Sequence, residues 1–266
     1  MEDGFRMADG KVAVITGSSR GIGWAIAQEL GSRGCRVAIN ARDGKQLDEK
    51  VSELQARGCM AMGTAADVSR AGEVARLAQS VVDHWGQIDI WINNAGGTVV
   101  GDSMDLDPED FAEIIDLNLN GAFYGSQVAA RQMASQGAGV IIQMGSIFGS
   151  VAAPRRAAYV ASKHALVGLT KVLADEWARF GIRVLCIEPG YINTDLALPN
   201  PQTGDDYSVR DIEARTPVGR YGTPMEVAKV VAFLVSDDAS YMTGSLVSVD
   251  GGWLAHGGWR SEGGQQ

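Results

Sequence analysis

The chain has 266 residues, an apolar fraction of 45% and a formal net charge of −9. That length suits one large α/β domain or two small ones, and the acidity, with no clustered basic run, argues against a nucleic-acid partner. The longest apolar run, VVAFLV at 230–235, is too short to span a bilayer, and MEDGFRMADGK at the start has no apolar signal core, so a cytoplasmic protein is expected.

Residues 1–10 are expected to be a flexible leader, with Met7 an alternative start. Three cysteines, Cys35, Cys59 and Cys186, are far apart and odd in number, and are read as buried reduced thiols. His84, His164 and His256 lack metal-ligand spacing, so no metal is expected.

KVAVIT (11–16) reads as a buried strand and GIGWAIAQELGSRG (21–34) as a helix. The turn between them, TGSSRGIG, carries Gly17, Gly21 and Gly23. Glycines there let the backbone turn tightly and approach a pyrophosphate at the positive end of the helix. No Lys opens the helix, so this is not a P-loop.

A second strand, RVAINA (36–41), leads to a helix at 45–58, a weaker strand at 59–65 and a helix at 70–86. The second strand ends in Ala41 and Arg42, where Rossmann proteins selective for NAD place a carboxylate to hold the ribose 2′-hydroxyl. Arg42, with Arg20 from the glycine turn, favours a 2′-phosphate and therefore NADP(H), with NAD(H) the alternative because Asp43 is adjacent.

IDIWINNAG (88–96) is a strand running into a loop; a long helix covers about 108–135, and GVIIQMGS (139–146) is the next strand. It delivers Ser146 to the carboxyl edge of the sheet, where ligands bind in open α/β folds. The following helix, about 156–180, carries Tyr159 and Lys163 four residues apart, on one face. A phenol titrates at about 10, and an ammonium one turn away is expected to lower it toward a useful acid–base range. IRVLCIEPG (182–190), a helix at about 224–236 and SLVSVD (245–250) complete the alternation. It predicts a single Rossmann-type doubly wound parallel sheet of about seven strands, helices on both faces, over 11–254.

The Pro/Gly-rich stretch 190–223 is too long for a simple connection and is read as a substrate lid, and the Gly-rich tail 255–266 as mobile, with Trp259 able to dock on a neighbouring subunit. The motifs TGxxxGIG, NNAG at 93–96, Ser146, the YxxxK of Tyr159 and Lys163, and the Pro189–Gly190 pair follow in one order. In that order, from about residue 10 to residue 253, the chain resembles the short-chain dehydrogenase/reductase family.

The resemblance implies that Ser19, Arg20 and Ile22 join the three glycines in holding the dinucleotide. It also implies that Asp67 and Val68 meet its adenine, that Asn94, Ala95 and Gly96 lie beneath its ribose, and that Pro189, Gly190, Ile192 and Thr194 grip the nicotinamide. Asn118 is then the fourth catalytic residue, holding a water that links Lys163 to solvent, while Lys163 also bonds the nicotinamide ribose. Tyr159 exchanges a proton with the substrate oxygen that Ser146 polarises, and a homotetramer, or a homodimer, is implied.

The candidate substrate pocket is Thr98, Val99, Ile147, Phe148, Tyr191 and Leu196, under a lid at 195–215, with Ser146, Phe148, Tyr159 and Tyr191 nearest the substrate. Arg155 and Arg156 are read as surface charge, and His164 as structural. Three substrate branches compete: a small ketone or secondary alcohol, a 3-oxoacyl group on an acyl carrier protein, and a sugar or polyol of the gluconate type. Asp175 and Glu176 follow the active site where a carrier-protein reductase often presents Arg, so like-charge repulsion favours a small diffusible substrate. A dinucleotide sensor without turnover is the non-enzymatic alternative, against which the presence of both Tyr159 and Lys163 counts.

Overall fold

The computed structural model describes residues 10–194 and 207–257. Seven strands form one sheet in the order β3-β2-β1-β4-β5-β6-β7, and every neighbouring pair is parallel. They are β1 (Val12–Ile15), β2 (Arg36–Ala41), β3 (Ala61–Ala65), β4 (Ile90–Asn93), β5 (Gly139–Met144), β6 (Ile182–Pro189) and β7 (Leu246–Val249). The chain builds outward from β1 to β3, returns to the centre at β4 and builds the other way. The carboxyl ends of β1 and β4 therefore flank a topological switch point.

Strand alternation sorts the core into two layers. Ala13 and Ile15 point to one face, packing with Ile26 and Leu30 of α1 (Gly21–Ser32), Leu47 and Leu54 of α2 (Gly44–Ala56), and Val227 and Val231 of α8 (Pro224–Leu234). Val12 and Val14 point to the other, against Val74, Leu77 and Val81 of α3 (Ala71–Trp85), Met133 of α5 (Gly121–Gln136) and Leu173 of α6 (Ala157–Trp177). A sheet buried on both faces needs apolar side chains at successive positions, which is why VAVI and IWIN are continuous.

Two elements differ from the sequence-based expectation. The long helix expected over 108–135 is α4 (Pro108–Ile115) and α5 joined by a π turn, Asp116–Asn120. There the Gly121 N–H donates to the Asp116 carbonyl, five residues back. The widened turn coincides with a close approach: a Cβ on Gly121 would stand 2.8 Å from the Val68 carbonyl oxygen. Second, the stretch expected to be irregular contains α7 (Val209–Arg215), started by a capping box in which Ser208 and Asp211 exchange hydrogen bonds. Leu196 and Trp259 lie outside the described residues. No helix among the described residues is long and apolar enough to cross a membrane, and none of their His, Cys, Asp and Glu side chains cluster as a metal site would require.

Candidate active site

β1 delivers the glycine turn to the switch point, and the turn is held from behind. Asn94, just past β4, donates its side-chain amide to the carbonyls of Thr16 and Gly17, both at 2.9 Å. The Thr16 hydroxyl accepts from the backbone N–H groups of Asn94 and Ala95, each at 3.0 Å. Asn40, at the end of β2, clamps the turn from the other side through Ser18 and Gly17. Gly17 (φ +60°) is forced: besides the left-handed backbone, a Cβ would meet the Ala95 Cα at 2.7 Å.

A groove of about 1130 Å³ opens in front of this turn, lined by Gly17, Ser19, Arg20, Gly21, Ile22, Arg42, Asp67, Val68, Asn94, Ala95, Gly96 and Thr194. The cradle fits the dinucleotide that the sequence predicts, with one correction. Gly23 does not line the groove; it is buried against Asn94 and the Gly17 carbonyl, so its missing side chain serves helix–turn packing.

Charge at the end of β2 is now resolved. The Asp43 carboxylate caps α2, accepting from the N–H groups of Lys45 and Gln46 at 2.9 and 3.3 Å. The acid that follows Arg42 in the chain is thereby committed to a helix terminus. Asp67 holds its carboxyl below the usual range: burial works to raise it, but hydrogen bonds from Ser69 and the charges of Arg42 and Arg70 prevail.

The groove continues into a narrower pocket of about 160 Å³, sharing Ile22, Asn94, Gly96 and Thr194 with it. Ser146, Tyr159 and Lys163 line that pocket together, with Thr98, Ile147, Phe148, Pro189, Gly190, Tyr191 and Ile192. Ser146 lies just past β5 with extended backbone and caps a short 3₁₀ turn, Ile147–Gly149. Tyr159 and Lys163 enter from the first two turns of α6 on one face, as their spacing requires, and the Lys163 Nζ stands 5.4 Å from the centroid of the Tyr159 ring.

Burial governs both titrations. The Tyr159 phenol is pushed up by desolvation, against a hydrogen bond with Ser146 and the charge of Arg156, while Tyr191 pushes with it. Lys163, 5% exposed, is pushed down to about 8 by desolvation, with Cys186 opposing. The expectation that Lys163 lowers the phenol is therefore corrected: burial wins, and the cation acting on the phenol is Arg156. Lys163 lies over the ring and donates to the Met144 carbonyl at 2.7 Å.

Asn118 is buried at the centre of the π turn, and its side chain bridges two parts of the site. Its Oδ1 accepts from the Gly97 N–H at 2.9 Å, and its Nδ2 donates to the Gly97 carbonyl at 2.9 Å and to Ser162 at 3.0 Å. Ser162 donates in turn to the Tyr159 carbonyl at 2.7 Å. Asn118 thus ties the loop after β4 to the catalytic helix, and its Oδ1 keeps a second lone pair. Asn120 donates to Asp116, within its own turn.

Other sequence-level readings also move. Val99 does not line either pocket; its neighbour Val100 lines a second cavity. Arg156 is not surface charge: it lines the catalytic pocket and donates to the Tyr207 hydroxyl at 2.6 Å. Tyr207 and Trp253 were not anticipated, because the residues that gather around them come from four distant parts of the chain.

Comparison with known proteins settles the family. A family model described as enoyl-(acyl carrier protein) reductase matches residues 17–254. The chain belongs to the short-chain dehydrogenase/reductase family. It is an oxidoreductase of the family's type, acting on CH–OH or carbonyl groups. A 3-oxoacyl-[acyl-carrier-protein] reductase of Staphylococcus aureus is 38% identical over 243 residues, 91% of this chain and 97% of that protein. Among solved structures, a variant of the actinorhodin polyketide ketoreductase with NADPH is 35% identical, with a TM-score of 0.89 over 93% of this chain and 98% of its own. A gluconate 5-dehydrogenase from Burkholderia cenocepacia, in complex with NADP and tartrate, is 32% identical with a TM-score of 0.89, over 94% and 97%.

Proposed function

We propose that the chain is an NADP(H)-dependent reductase of a diffusible ketone, reversible toward the secondary alcohol. One observation carries the reading: the dinucleotide-sized groove adjoins, across Ile22, Asn94, Gly96 and Thr194, the pocket where Ser146, Tyr159 and Lys163 converge. Arg20 and Arg42 would receive the 2′-phosphate, with Asp43 withdrawn into its cap. Asn94 to Gly96 would bound the ribose side, Asp67 and Val68 the adenine end, and Pro189 to Thr194 the nicotinamide.

NADPH, when bound, supplies a hydride to the carbonyl carbon. Everything else falls to the chain. Ser146 donates to the carbonyl oxygen and polarises it, and Tyr159 gives its phenolic proton to the oxygen as negative charge develops there. A phenol held above its ordinary range keeps its proton at neutral pH, which suits the reductive direction. Lys163 stays charged up to about pH 8 and would hold the ribose hydroxyls.

A second reading, 3-oxoacyl-carrier-protein reduction, is supported by the Staphylococcus relative, whereas the exposed Asp175 and Glu176 on α6 oppose docking of an acidic carrier. The test is a panel of small ketones, polyol-derived ketones and 3-oxoacyl thioesters, free and carrier-bound, run with NADPH and NADH separately. Turnover of small ketones with NADPH upholds the proposal; turnover confined to carrier-bound thioesters replaces it. Residues 190–223 would act as the substrate lid, and the site of action would be the cytoplasm. The exposed apolar side chains of Phe123 on α5 and Val172 on α6 support a homo-oligomer.

A further inference from the structure

Glu188 is the last residue but one of β6, immediately before the Pro189–Gly190 pair, and it is 2% exposed. The reductase reading gives it no part. Strand alternation turns it, with Val184, toward the face that α6 covers. A carboxyl group buried there is costly unless its oxygens are hydrogen-bonded. Among the described residues Glu188 forms no ion pair. Its Oε1 accepts from the Ser150 hydroxyl at 3.0 Å, and its Oε2 from the hydroxyl of Ser248, its register partner on β7, at 3.5 Å. Two neutral hydroxyls return little of the burial cost, and an apolar side chain would serve the strand pairing as well. Fold stability does not account for this group; its position does.

The segment Gly145–Ser150 carries Ser146 and Phe148, and β6 holds it at both ends. At its start the Gly145 N–H donates to the Ile187 carbonyl at 2.8 Å, and at its end Ser150 donates to Glu188. Between these ties runs the 3₁₀ turn Ile147–Gly149, closed by the Gly149 N–H on the Ser146 carbonyl at 2.8 Å. The turn has little slack. A Cβ on Gly149 would stand 3.2 Å from the Glu188 Oε1 and 3.1 Å from the Lys163 carbonyl oxygen, so the turn is seated between this carboxyl group and the catalytic helix. Within it the Phe148 N–H donates to the Ser146 Oγ at 3.2 Å. That bond occupies a lone pair of the hydroxyl and leaves its hydrogen to be donated elsewhere.

We propose that Glu188 is a positioning residue for the reduction: by holding Ser150 it fixes the turn that aims the Ser146 hydroxyl at the substrate oxygen. It does so from the strand that continues into Pro189 and Gly190, which line the same pocket. The inference rests on the reductase reading for the chemistry, but not for the anchoring.

Steady-state reduction of a ketone by the full chain with NADPH compares wild type with Glu188→Ala, Glu188→Gln and Ser150→Ala. Glu188→Ala is expected to lower kcat about tenfold with NADPH affinity held within about twofold, because a small misplacement of a catalytic group is enough. Glu188→Gln, which keeps an oxygen for Ser150, is expected to recover most of the rate. Ser150 is exposed, so Ser150→Ala tests the same contact even where Glu188→Ala does not fold, and it is expected to show the same loss. In a Ser146→Ala background, Glu188→Ala is expected to change kcat less than about twofold, since the hydroxyl it positions is gone; a general loosening of the site would lower kcat there as well. Wild-type kcat in Glu188→Ala or Ser150→Ala, no recovery in Glu188→Gln, or the same loss without the Ser146 hydroxyl would overturn the proposal. Hydrogen exchange separates it from the reductase reading. The amides of Phe148, Gly149 and Ser150 are expected to exchange about tenfold faster in Glu188→Ala than in wild type. Faster exchange in a protein that turns over no ketone upholds the anchoring and sinks the reductase; unchanged exchange overturns the positioning role.

Discussion

Two side chains four residues apart behave differently from what their spacing alone suggests. Tyr159 and Lys163 do share a helix face, but desolvation governs the titration of both. For Lys163 this has a consequence for stability. The ammonium is depressed to about 8 in the folded chain and titrates near 10.5 when unfolded. Below pH 8 folding must bury the charge, and that cost is relieved as pH climbs from 8 to 10.5, so this group makes stability rise over that interval, by about 3 kcal/mol at full extent. Cys35 and Cys186, both raised to about 11, oppose it: their contribution is present below 9 and lost between 9 and 11. Urea unfolding of wild type and Lys163→Met from pH 7 to 10 separates the two, because only the wild type carries the rising component. The same titration predicts that ketone reduction is flat below about pH 8 and falls above it as Lys163 discharges, while the Tyr159 phenol, held above its ordinary value, keeps its proton throughout. Ser146→Ala, which removes the hydroxyl aimed at the substrate oxygen, is expected to lower kcat by about 10² to 10³ in steady-state kinetics. Arg42→Ala is expected to raise KM for NADPH at least tenfold with little change for NADH, a contrast that coenzyme titration reads directly.

Among the elements, the π turn at Asp116–Asn120 does the most for the site. It carries Asn118 to Gly97 and Ser162, and through Ser162 it fixes the first turn of α6. Asn118→Ala is therefore expected to lower kcat by weakening the hold on Tyr159, and Ser162→Ala to do so more mildly; amide exchange at Gly97 rises in the first and is a readout that the chemistry does not touch. Much of this architecture is legible in the residues. VAVI, the VAI of β2 and the IWI of β4 are apolar at successive positions because both faces are covered, and Gly17 and Gly21 mark the turn where the backbone must go left-handed. The π turn is not legible, since DLNLN fits an ordinary helix and the close approach of Gly121 to Val68 that accompanies the turn is made only by the fold. Helix α7 is a different miss. Its capping signature, Ser208 to Asp211, is present in the sequence, but seven residues between prolines and glycines give too little periodicity to outweigh its surroundings.

Over the whole molecule, the strand order concentrates function on one edge of the sheet. Residues from the ends of β1, β2, β4, β5 and β6 meet at the switch point although up to 177 positions separate Gly17 from Thr194 in the chain. The motifs make that convergence predictable. The second cavity is not predictable in the same way, because Phe148, Arg156, Tyr207 and Trp253 belong to no local pattern and are united only by the fold. Exposed Phe123, Val172 and Phe180 lie on or next to α5 and α6, so light scattering is expected to give an assembly larger than one chain, and Phe123→Asp with Val172→Asp to reduce its mass. The central claim is that Tyr159 supplies the proton to a substrate reduced in the pocket that the dinucleotide groove enters. Rapid mixing of NADPH-loaded protein with ketone, wild type against Tyr159→Phe, tests it most directly. The account predicts unchanged NADPH affinity and a hydride-transfer rate lower by about 10² to 10⁴ in the variant; equal rates in the two, or NADPH bound and never consumed by either, would contradict it.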